Sequence, residues 1–183
     1  GMGANVTILD RSIPRLRQLD SEYEGRVSCV FSTDAAIEEY ALQADLVIGA
    51  VLVHGAAAPK LLSSSLIKRM KKGAVVVDVA IDQGGCFETS KATTHDHPTY
   101  IVDGVVHYCV ANMPGGVART ATMALNNATL PYAIALANDP VNALFTNSNL
   151  QNGLNVHKGS VTYKAVADAL GYTYVPADEA LKA

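Results

Sequence analysis

AVVVDVAIDQGGCFE, residues 74–88, is the most informative stretch of this sequence. It opens with β-branched residues, a pattern typical of a strand buried on both faces of a parallel sheet. Asp82 follows the run, and then the pair Gly84-Gly85. In open α/β sheets ligands bind beyond the carboxyl ends of the strands, and glycines let the backbone approach a flat ligand. The stretch predicts a binding site at a sheet edge, although a buried strand, a surface aspartate and an ordinary glycine turn would look the same.

Strands and helices alternate in the part of the chain before this stretch. Short apolar runs predict strands at residues 6–10, 27–31 and 46–51. Helices are predicted between them, the first two beginning near the capping residues Ser12 and Thr33. Such alternation is typical of a right-handed, doubly wound α/β sheet.

The second half of the chain predicts a hairpin and then helices. Asp103-Gly104 lies between apolar runs at residues 100–102 and 105–110, which is the signal of a type I′ turn. Residues 117–137 are rich in alanine and predict a long helix, which we expect to be buried on most sides. Pro131 should kink or shorten that helix.

Asp10 ends the first predicted strand and points to a dinucleotide site. In dinucleotide-binding folds a glycine-rich phosphate turn follows strand one, and an acid about 20 residues later holds the adenosine ribose. Asp10 fits that acid, but only nine residues precede it, and residues 1–3 lead into a strand. We therefore expect an α/β fold that is an incomplete Rossmann-like doubly wound parallel sheet, lacking its central strand and phosphate loop and followed by C-terminal helices. Another segment, a second subunit, or direct closure of the two halves would fill the gap.

Composition narrows the class of protein. The 183 residues are 49% apolar and carry a formal net charge of −3 with no basic stripe, which argues against a nucleic-acid partner. No apolar run reaches the roughly 20 residues that span a bilayer, so no membrane partner is expected. The three cysteines lack CxxC spacing, which indicates reduced thiols and a cytoplasmic protein.

Two local patterns suggest chemistry that we do not expect. His95 and His97 flank Asp96, but alternate residues on a loop make a poor ligand set, so no metal site is predicted and a loop-ordering role is favoured. Cys86 follows the glycine pair, but no histidine or basic residue lies near it in sequence to activate a nucleophile. A buried thiol is therefore the prediction for Cys86.

Four long motifs, in order, carry a resemblance to a known family. They are ADLVIGAVLVHGAAAPKL at residues 44–61, VVDVAIDQGGCFE at 76–88, THDHPTY at 94–100 and HYCVANMPGGVARTAT at 107–122. With them the chain resembles the C-terminal half of the NAD-dependent alanine dehydrogenases. This family is related to the NAD(H)-binding component of proton-translocating transhydrogenase. Four motifs are far more specific than a lone GxGxxG.

The resemblance implies NAD as cofactor and assigns residues to it by position. Asp10 would hold the adenosine ribose hydroxyls, and Asp82 would be the active-site aspartate that orders the ammonium group and the attacking water. The remaining implied cofactor residues are Arg15 and Ser32 on the adenosine side, Val51 and Leu52 in the crevice, Val79, Ala80 and Ile81 beside the nicotinamide with Asp82, Lys91 facing the cofactor, and Val110, Ala111, Asn112 and Met113 on the nicotinamide side.

The resemblance also implies an activity and an organisation. Members of the family oxidise L-alanine to pyruvate and ammonia, reversibly, and are usually hexameric, so L-alanine, pyruvate, ammonia and a homo-oligomer are the implied partners. Residues 1–116 would be a truncated NAD(H)-binding domain, and residues 117–183 a linker helix and the C-terminal remnant of the substrate domain. The family's substrate-binding Arg and Lys and its proton-handling His belong to an N-terminal domain. We therefore expect this chain to be inactive alone.

Simpler interpretations stay open. Asp10 would also suit a solvated strand end, and Asp82 a structural cap of the glycine turn. Asn112 would then only satisfy loop backbone, and Met113 fill core. For the whole chain, the alternatives are a non-catalytic NAD-binding or oligomerisation module and, less favoured, an S-adenosylmethionine-binding transferase, which also places an acid after strand two. The IDQGG and VANMP segments argue against the transferase.

Overall fold

The computed structural model describes residues 2–51 and 58–182, which divide into two compact units. Among the described residues, the first unit comprises 2–51 and 58–113, and the second comprises 114–182. Searched over the same residues, no helix combines the length and the apolar character needed to cross a membrane. The first unit carries every sheet-edge residue that the sequence singles out, so its topology governs the site.

The first unit begins with a parallel β-α-β unit. Strand β1 pairs in parallel with β2, with Asp10 opposite Phe31. The predicted helix starts are confirmed: the Ser12 hydroxyl accepts the amide of Arg15, and the Thr33 hydroxyl accepts the amide of Ala36. The elements are β1 (Thr7–Asp10), α1 (Ile13–Tyr23), β2 (Ser28–Phe31) and α2 (Asp34–Gln43).

A second, four-stranded sheet follows, in the order β3-β4-β6-β5. Strands β3, β4 and β6 are parallel, and β5 runs antiparallel to β6. The predicted hairpin is confirmed, because Asp103 and Gly104 both adopt positive φ, 48° and 80°, as a type I′ turn requires. The elements are β3 (Leu46–Gly49), α3 (Ser64–Arg69), β4 (Val75–Asp78), β5 (Thr99–Val102) and β6 (Val105–Tyr108).

Strand β4 ends earlier than its sequence predicts. The β-branched run suggests a strand through Ile81, but β4 stops at Asp78, and Val79–Gln83 form a 3-10 helix. Gly84 ends this turn in the left-handed conformation, with its amide bonded to the carbonyls of Ala80 and Ile81. The intrinsic β preference of the run is overridden because the buried side chain of Asp78 binds groups further along the chain, which requires the backbone to turn.

Among residues 2–51 and 58–113, no strand pairing joins the two sheets of the first unit. In the described residues, β1 pairs with β2 alone and β3 with β4 alone, so each keeps one edge without a strand. Leu46 and Ile48 on β3 are 53% and 61% exposed. The order β2-β1 and β3-β4-β6-β5 agrees with an incomplete Rossmann-like sheet, as predicted. Direct closure of the two halves, one of the three alternatives for the gap, does not occur.

The core of the first unit lies under β4, between α3 and the loop that follows the 3-10 helix. Ile67, Val76 and Phe87 are buried there almost completely. Gly49, the last residue of β3, lies against this core, since a Cβ added to it would collide with the Sγ of Cys86 and lie 2.7 Å from Cζ of Phe87. A glycine is therefore required where β3 meets the loop.

The second unit is helical, and its long helix α4 differs from expectation. The sequence suggests burial on most sides, but α4 has no buried residue, and Met123 and Leu125 are 59% and 66% exposed. Pro131 lies inside α4 and does not shorten it. Burial was overestimated because the elements that follow α4 are short and leave its side chains uncovered. These elements are α4 (Ala118–Asn138), α5 (Pro140–Thr146), α6 (Ser148–Asn152), β7 (Val156–His157), β8 (Ser160–Val161), α7 (Lys164–Leu170) and α8 (Ala177–Ala180).

Gly49→Ala is expected to lower the free energy of unfolding by about 1–3 kcal/mol, because the added methyl group overpacks the contact with Cys86 and Phe87. Urea denaturation monitored by circular dichroism measures this change. Cys86→Ala removes the Sγ that the methyl group meets, so the double variant should lose less than the sum of the two single variants. Strict additivity would contradict this packing.

Candidate functional site

Three of the predicted site residues meet at the carboxyl end of the β1–β2 sheet. Asp10 is the last residue of β1, and the amide of Ser32 donates to its carbonyl at 3.0 Å. The Asp10 carboxylate accepts the amide of Ser12 through Oδ1 at 2.7 Å. Arg15 lies in the first turn of α1, with Nη1 2.8 Å from Oε1 of Gln18. A carboxylate has about four lone-pair positions, so one bond to Ser12 leaves Asp10 capacity for further hydroxyl groups.

The other predicted residues follow the carboxyl ends of β3, β4 and β6. The parallel register sets Gly49 beside Asp78, and Val77 beside Tyr108, so the three strands end at one edge. Leu52, which was assigned to this crevice, lies outside the described residues. The predicted residues that the structure does place there are Val51 after β3, Val79, Ala80, Ile81 and Asp82 after β4, and Val110, Ala111, Asn112 and Met113 after β6.

The side chains of the 3-10 helix divide into two groups. Ala80 and Ile81 are buried in the core, whereas Val79 and Asp82 are exposed. The side chains of Ala80 and Ile81 therefore do not reach the solvent-exposed surface of this turn. Asp82 is the ionisable side chain that this turn presents to solvent. The predicted location of Asp82 at the end of a strand is corrected to the middle of a 3-10 helix.

The loop after the 3-10 helix is held from outside by residues 58–64. Lys60 donates from Nζ to the carbonyls of Gly84 and Gly85 at 2.6 and 2.7 Å. The amide of Leu61 donates to the Cys86 carbonyl at 2.7 Å. Glu88 accepts the amide and the hydroxyl of Ser64 at the start of α3, and these bonds hold the pKa of Glu88 below its usual value. The glycine pair is thus rigidly placed.

The same loop is held from inside by Asp78, a residue for which the sequence predicted no role. Asp78 has 0% relative exposure, and its Oδ2 accepts the amide of Cys86 at 2.9 Å and the hydroxyl of Ser90. Its Oδ1 lies 3.4 Å from the Cys86 sulfur. The available signal was a single acid inside an otherwise apolar β-branched run, since a buried carboxylate needs donors.

Cys86 is a buried, protonated thiol, as predicted. It has no solvent exposure, and burial together with the neighbouring Asp78 raises the pKa of Cys86 to about 12. The thiolate is the nucleophilic form of cysteine, and this environment disfavours it. Cys86 therefore contributes packing and a hydrogen bond rather than covalent chemistry.

The loop that carries Lys91 runs beside the segment after β6. Thr93 bridges that segment, since its amide donates to the Cys109 carbonyl at 2.8 Å and its carbonyl accepts the amide of Ala111 at 3.2 Å. The side chain of His95 reaches the Asn112 carbonyl at 2.6 Å, in line with its expected loop-ordering role. The structure thus brings the Lys91 loop to the residues assigned to the nicotinamide side.

A stacked aromatic pair anchors this loop to the hairpin. The rings of Tyr100 and His107 stack with centroids 5.0 Å apart, and the Tyr100 hydroxyl donates to the Thr89 carbonyl at 2.8 Å. Nδ1 of the fully buried His107 donates to the Val105 carbonyl, so its Nε2 accepts the hydroxyl of Thr89 at 2.7 Å. Burial lowers the pKa of His107, while the Val105 carbonyl and Asp78 oppose that shift. Burial and the Cys109 thiol raise the pKa of Tyr100.

Parallel strands joined through helices, with the candidate site residues beyond their carboxyl ends, are typical of the Rossmann-like class of domain. Residues 1–164 match the family model described as "Alanine dehydrogenase/PNT, C-terminal domain", and the chain belongs to this family. The resemblance found in the sequence is thereby confirmed. Within residues 2–51 and 58–182, no group of three or more His, Cys, Asp or Glu is arranged to hold a metal ion.

Relatives and solved structures agree with the family. The chain is 62% identical over 178 residues to "Alanine dehydrogenase" of Halomonas elongata, covering 97% of this chain and 48% of that protein. It is 57% identical over 184 residues to "Alanine dehydrogenase 2" of Staphylococcus aureus strain USA300, covering 100% of this chain and 50% of the relative. The chain therefore spans about half the length of the curated relatives it matches.

Two solved structures extend this likeness to the fold. A structure named "L-alanine dehydrogenase" superposes with a TM-score of 0.81 at 50% identity, over 92% of this chain and 47% of that one. The transhydrogenase from Sinorhizobium meliloti superposes with a TM-score of 0.58 at 29% identity, over 66% of this chain and 34% of that one.

Acidification should destabilise the chain through His107. Its pKa in the folded state lies below the ordinary 6.5, so the unfolded state binds the proton more readily, and stability is lost as the pH falls below 6.5. Urea midpoints measured between about pH 7.5 and about pH 5.5 test this, because that interval spans the titration of histidine. His107→Gln should flatten the dependence, and His97→Gln, which changes an exposed histidine, should not. Equal slopes for the two variants would contradict the assignment.

Proposed function

We propose that this chain is the NAD(H)-binding part of an NAD-dependent L-alanine dehydrogenase. The intact enzyme would interconvert L-alanine with pyruvate and ammonia. The observation that carries the proposal is the family match over residues 1–164, together with the meeting of the predicted residues at the carboxyl ends of the strands. Family membership favours this function over an S-adenosylmethionine-binding transferase.

The adenosine end of NAD fits the β1–β2 edge. A carboxylate that closes β1 is suited to accept the two ribose hydroxyls, and its charge would repel the 2′-phosphate of NADP. Ser32 lies beside Asp10 through a backbone hydrogen bond, in position to line the adenine side, and Arg15 lies in the first turn of α1. We assign Asp10, Arg15 and Ser32 to this end of the cofactor.

The nicotinamide end fits the edge formed by β3, β4 and β6. The residues proposed to line it are Val51, Leu52, Val79, Ala80, Ile81, Asp82, Lys91, Val110, Ala111, Asn112 and Met113. When bound, NAD supplies the acceptor for the hydride that leaves the substrate. Asp82 is the proposed catalytic residue, because its exposed carboxylate would order the ammonium group and the attacking water.

Substrate chemistry requires groups beyond this chain. The family resemblance assigns the Arg and Lys that bind the substrate carboxylate, and the His that handles the proton, to a domain that precedes these residues. We propose that residues 1–116 form the cofactor domain and residues 117–183 the linker helix and part of the substrate domain. The apolar side chains exposed on α4 favour a homo-oligomer. A cytoplasmic protein without a nucleic-acid or membrane partner is proposed from the net charge of −3 and from the cysteines, which lack CxxC spacing.

Asp10→Ala should weaken the binding of NADH by about 1–3 kcal/mol, because a charged hydrogen-bond acceptor to the ribose is lost. Titration of the chain with NADH, followed by the fluorescence of the nucleotide, measures the effect. Asp20→Ala is the matched control, since Asp20 is an exposed acid near the other end of α1. Wild-type binding of NADPH should be weaker than that of NADH. Unchanged NADH binding in Asp10→Ala would overturn the ribose assignment.

The chain by itself should form no NADH from L-alanine and NAD, because the groups that bind the substrate carboxylate and carry the proton are assigned outside it. Absorbance at the NADH band, followed with and without L-alanine, tests this. A cofactor domain that binds NADH without turnover fits the proposal. Turnover within a few-fold of that of an intact relative would refute this division of labour, whereas a chain that binds no NADH would instead favour the non-catalytic module.

A further inference from the structure

The segment that carries Asp82 is a closed loop whose two ends are tied together by one buried side chain. Asp78 is the last residue of β4, immediately before the 3-10 helix. Its Oδ2 accepts the amide of Cys86, eight residues further on, at 2.9 Å, and the hydroxyl of Ser90, twelve residues further on. The 3-10 helix with Asp82 therefore lies between Asp78, which accepts these hydrogen bonds, and the two residues that donate them.

The approach of the loop to Asp78 depends on a glycine. A Cβ added to Gly85 would lie 2.7 Å from Oδ2 of Asp78 and 2.8 Å from Cβ of Ser90, and the φ of Gly85 is +74°. Nζ of Lys60 donates hydrogen bonds to the carbonyls of the same glycine pair from the other side. The loop is thus fixed between a buried carboxylate and a surface ammonium group, with no room for a side chain at Gly85.

Ser90 itself is fixed by bonds that do not involve Asp78. The Tyr100 hydroxyl donates to the carbonyl of Thr89 at 2.8 Å and accepts the amide of Lys91 at 2.7 Å, so the residues on both sides of Ser90 are tied to β5. Tyr100 in turn stacks on the buried His107 of β6. The backbone on both sides of Ser90 is therefore held by the hairpin, and the Ser90 hydroxyl binds Asp78 at the end of β4 from this fixed position.

We propose that Asp78 is a positioning residue for the cofactor edge. Through the Cys86 amide and the Ser90 hydroxyl it fixes the 3-10 helix Val79–Gln83, and with it the direction in which Asp82 and the backbone of Ala80 and Ile81 face the nicotinamide. The nature of the ligand in this inference rests on the proposed function. The role of Asp78 differs from a purely structural one in that its loss should affect one end of the cofactor and not the other.

Ser90→Ala is the most direct test, because it removes one of the donors to Asp78 without changing Asp78 itself. NADH contacts both edges, whereas AMP contacts the adenosine edge alone. Ser90→Ala should weaken NADH binding about tenfold, as loss of one hydrogen bond to a charged group would, and leave AMP binding within about twofold of the wild type. Hydrogen exchange of the Cys86 amide and of amides 79–83, followed by NMR, should accelerate at least about tenfold. Ser21→Ala, an exposed serine near the end of α1, should change none of these.

The outcomes separate the two proposals. Equal weakening of NADH and AMP by Ser90→Ala, or unchanged NADH binding and unchanged exchange, would overturn the positioning role. A wild-type chain that binds neither nucleotide would defeat the proposed function, and the exchange rates would then still decide whether Asp78 and Ser90 fix the 3-10 helix. If Ser90→Ala does not fold, Asp78→Asn takes its place, since it keeps the size of Asp78 and one acceptor oxygen. The same loss of NADH binding with AMP binding retained is then required.

Discussion

The buried carboxylate of Asp78 is the constraint on which the candidate site depends. Removing a carboxylate from water is costly unless donors surround it, and here the donors come from Cys86 and Ser90 in the loop after β4. The backbone must turn back on itself to bring them close. This explains why a strongly β-forming run gives way to a 3-10 helix at Val79, and it places Asp82 on a short, closed and well-supported turn.

The packing around this carboxylate explains the small residues of the loop. Gly85 permits the approach to Asp78, and Gly49 on the neighbouring strand leaves the space that Cys86 and Phe87 fill. Cys86 links the two requirements, because its amide satisfies Asp78 while its sulfur packs against β3. A Rossmann-like edge is usually described by its ligand contacts. In this chain the buried residues that support the edge also have defined packing and hydrogen-bond partners.

Local determinants made most of the first unit predictable from sequence. Ser12 and Thr33 cap their helices as expected, and Asp103-Gly104 forms the expected hairpin, because each depends on residues only a few positions apart. The predicted end of β4 was wrong because the true end depends on the contact between Asp78 and Ser90. Hydrophobic periodicity does not show such a contact. The predicted burial of α4 was wrong because amino-acid composition does not say which elements cover a helix. Parallel strand topology predicted that the site residues would follow the carboxyl ends of the strands. It did not predict the buried Asp78 beneath them.

The strand edges of β1 and β3 give the first unit a particular thermodynamic character. A sheet edge presents backbone donors and acceptors that only another extended segment can satisfy along its length. Any segment that joins both edges binds the native form and has no equivalent site on the unfolded chain. Its association energy is then added to the conformational stability by mass action, so the apparent melting point rises with its concentration. Conformational stability and the affinity for an inserted strand are, for this architecture, linked by one thermodynamic cycle.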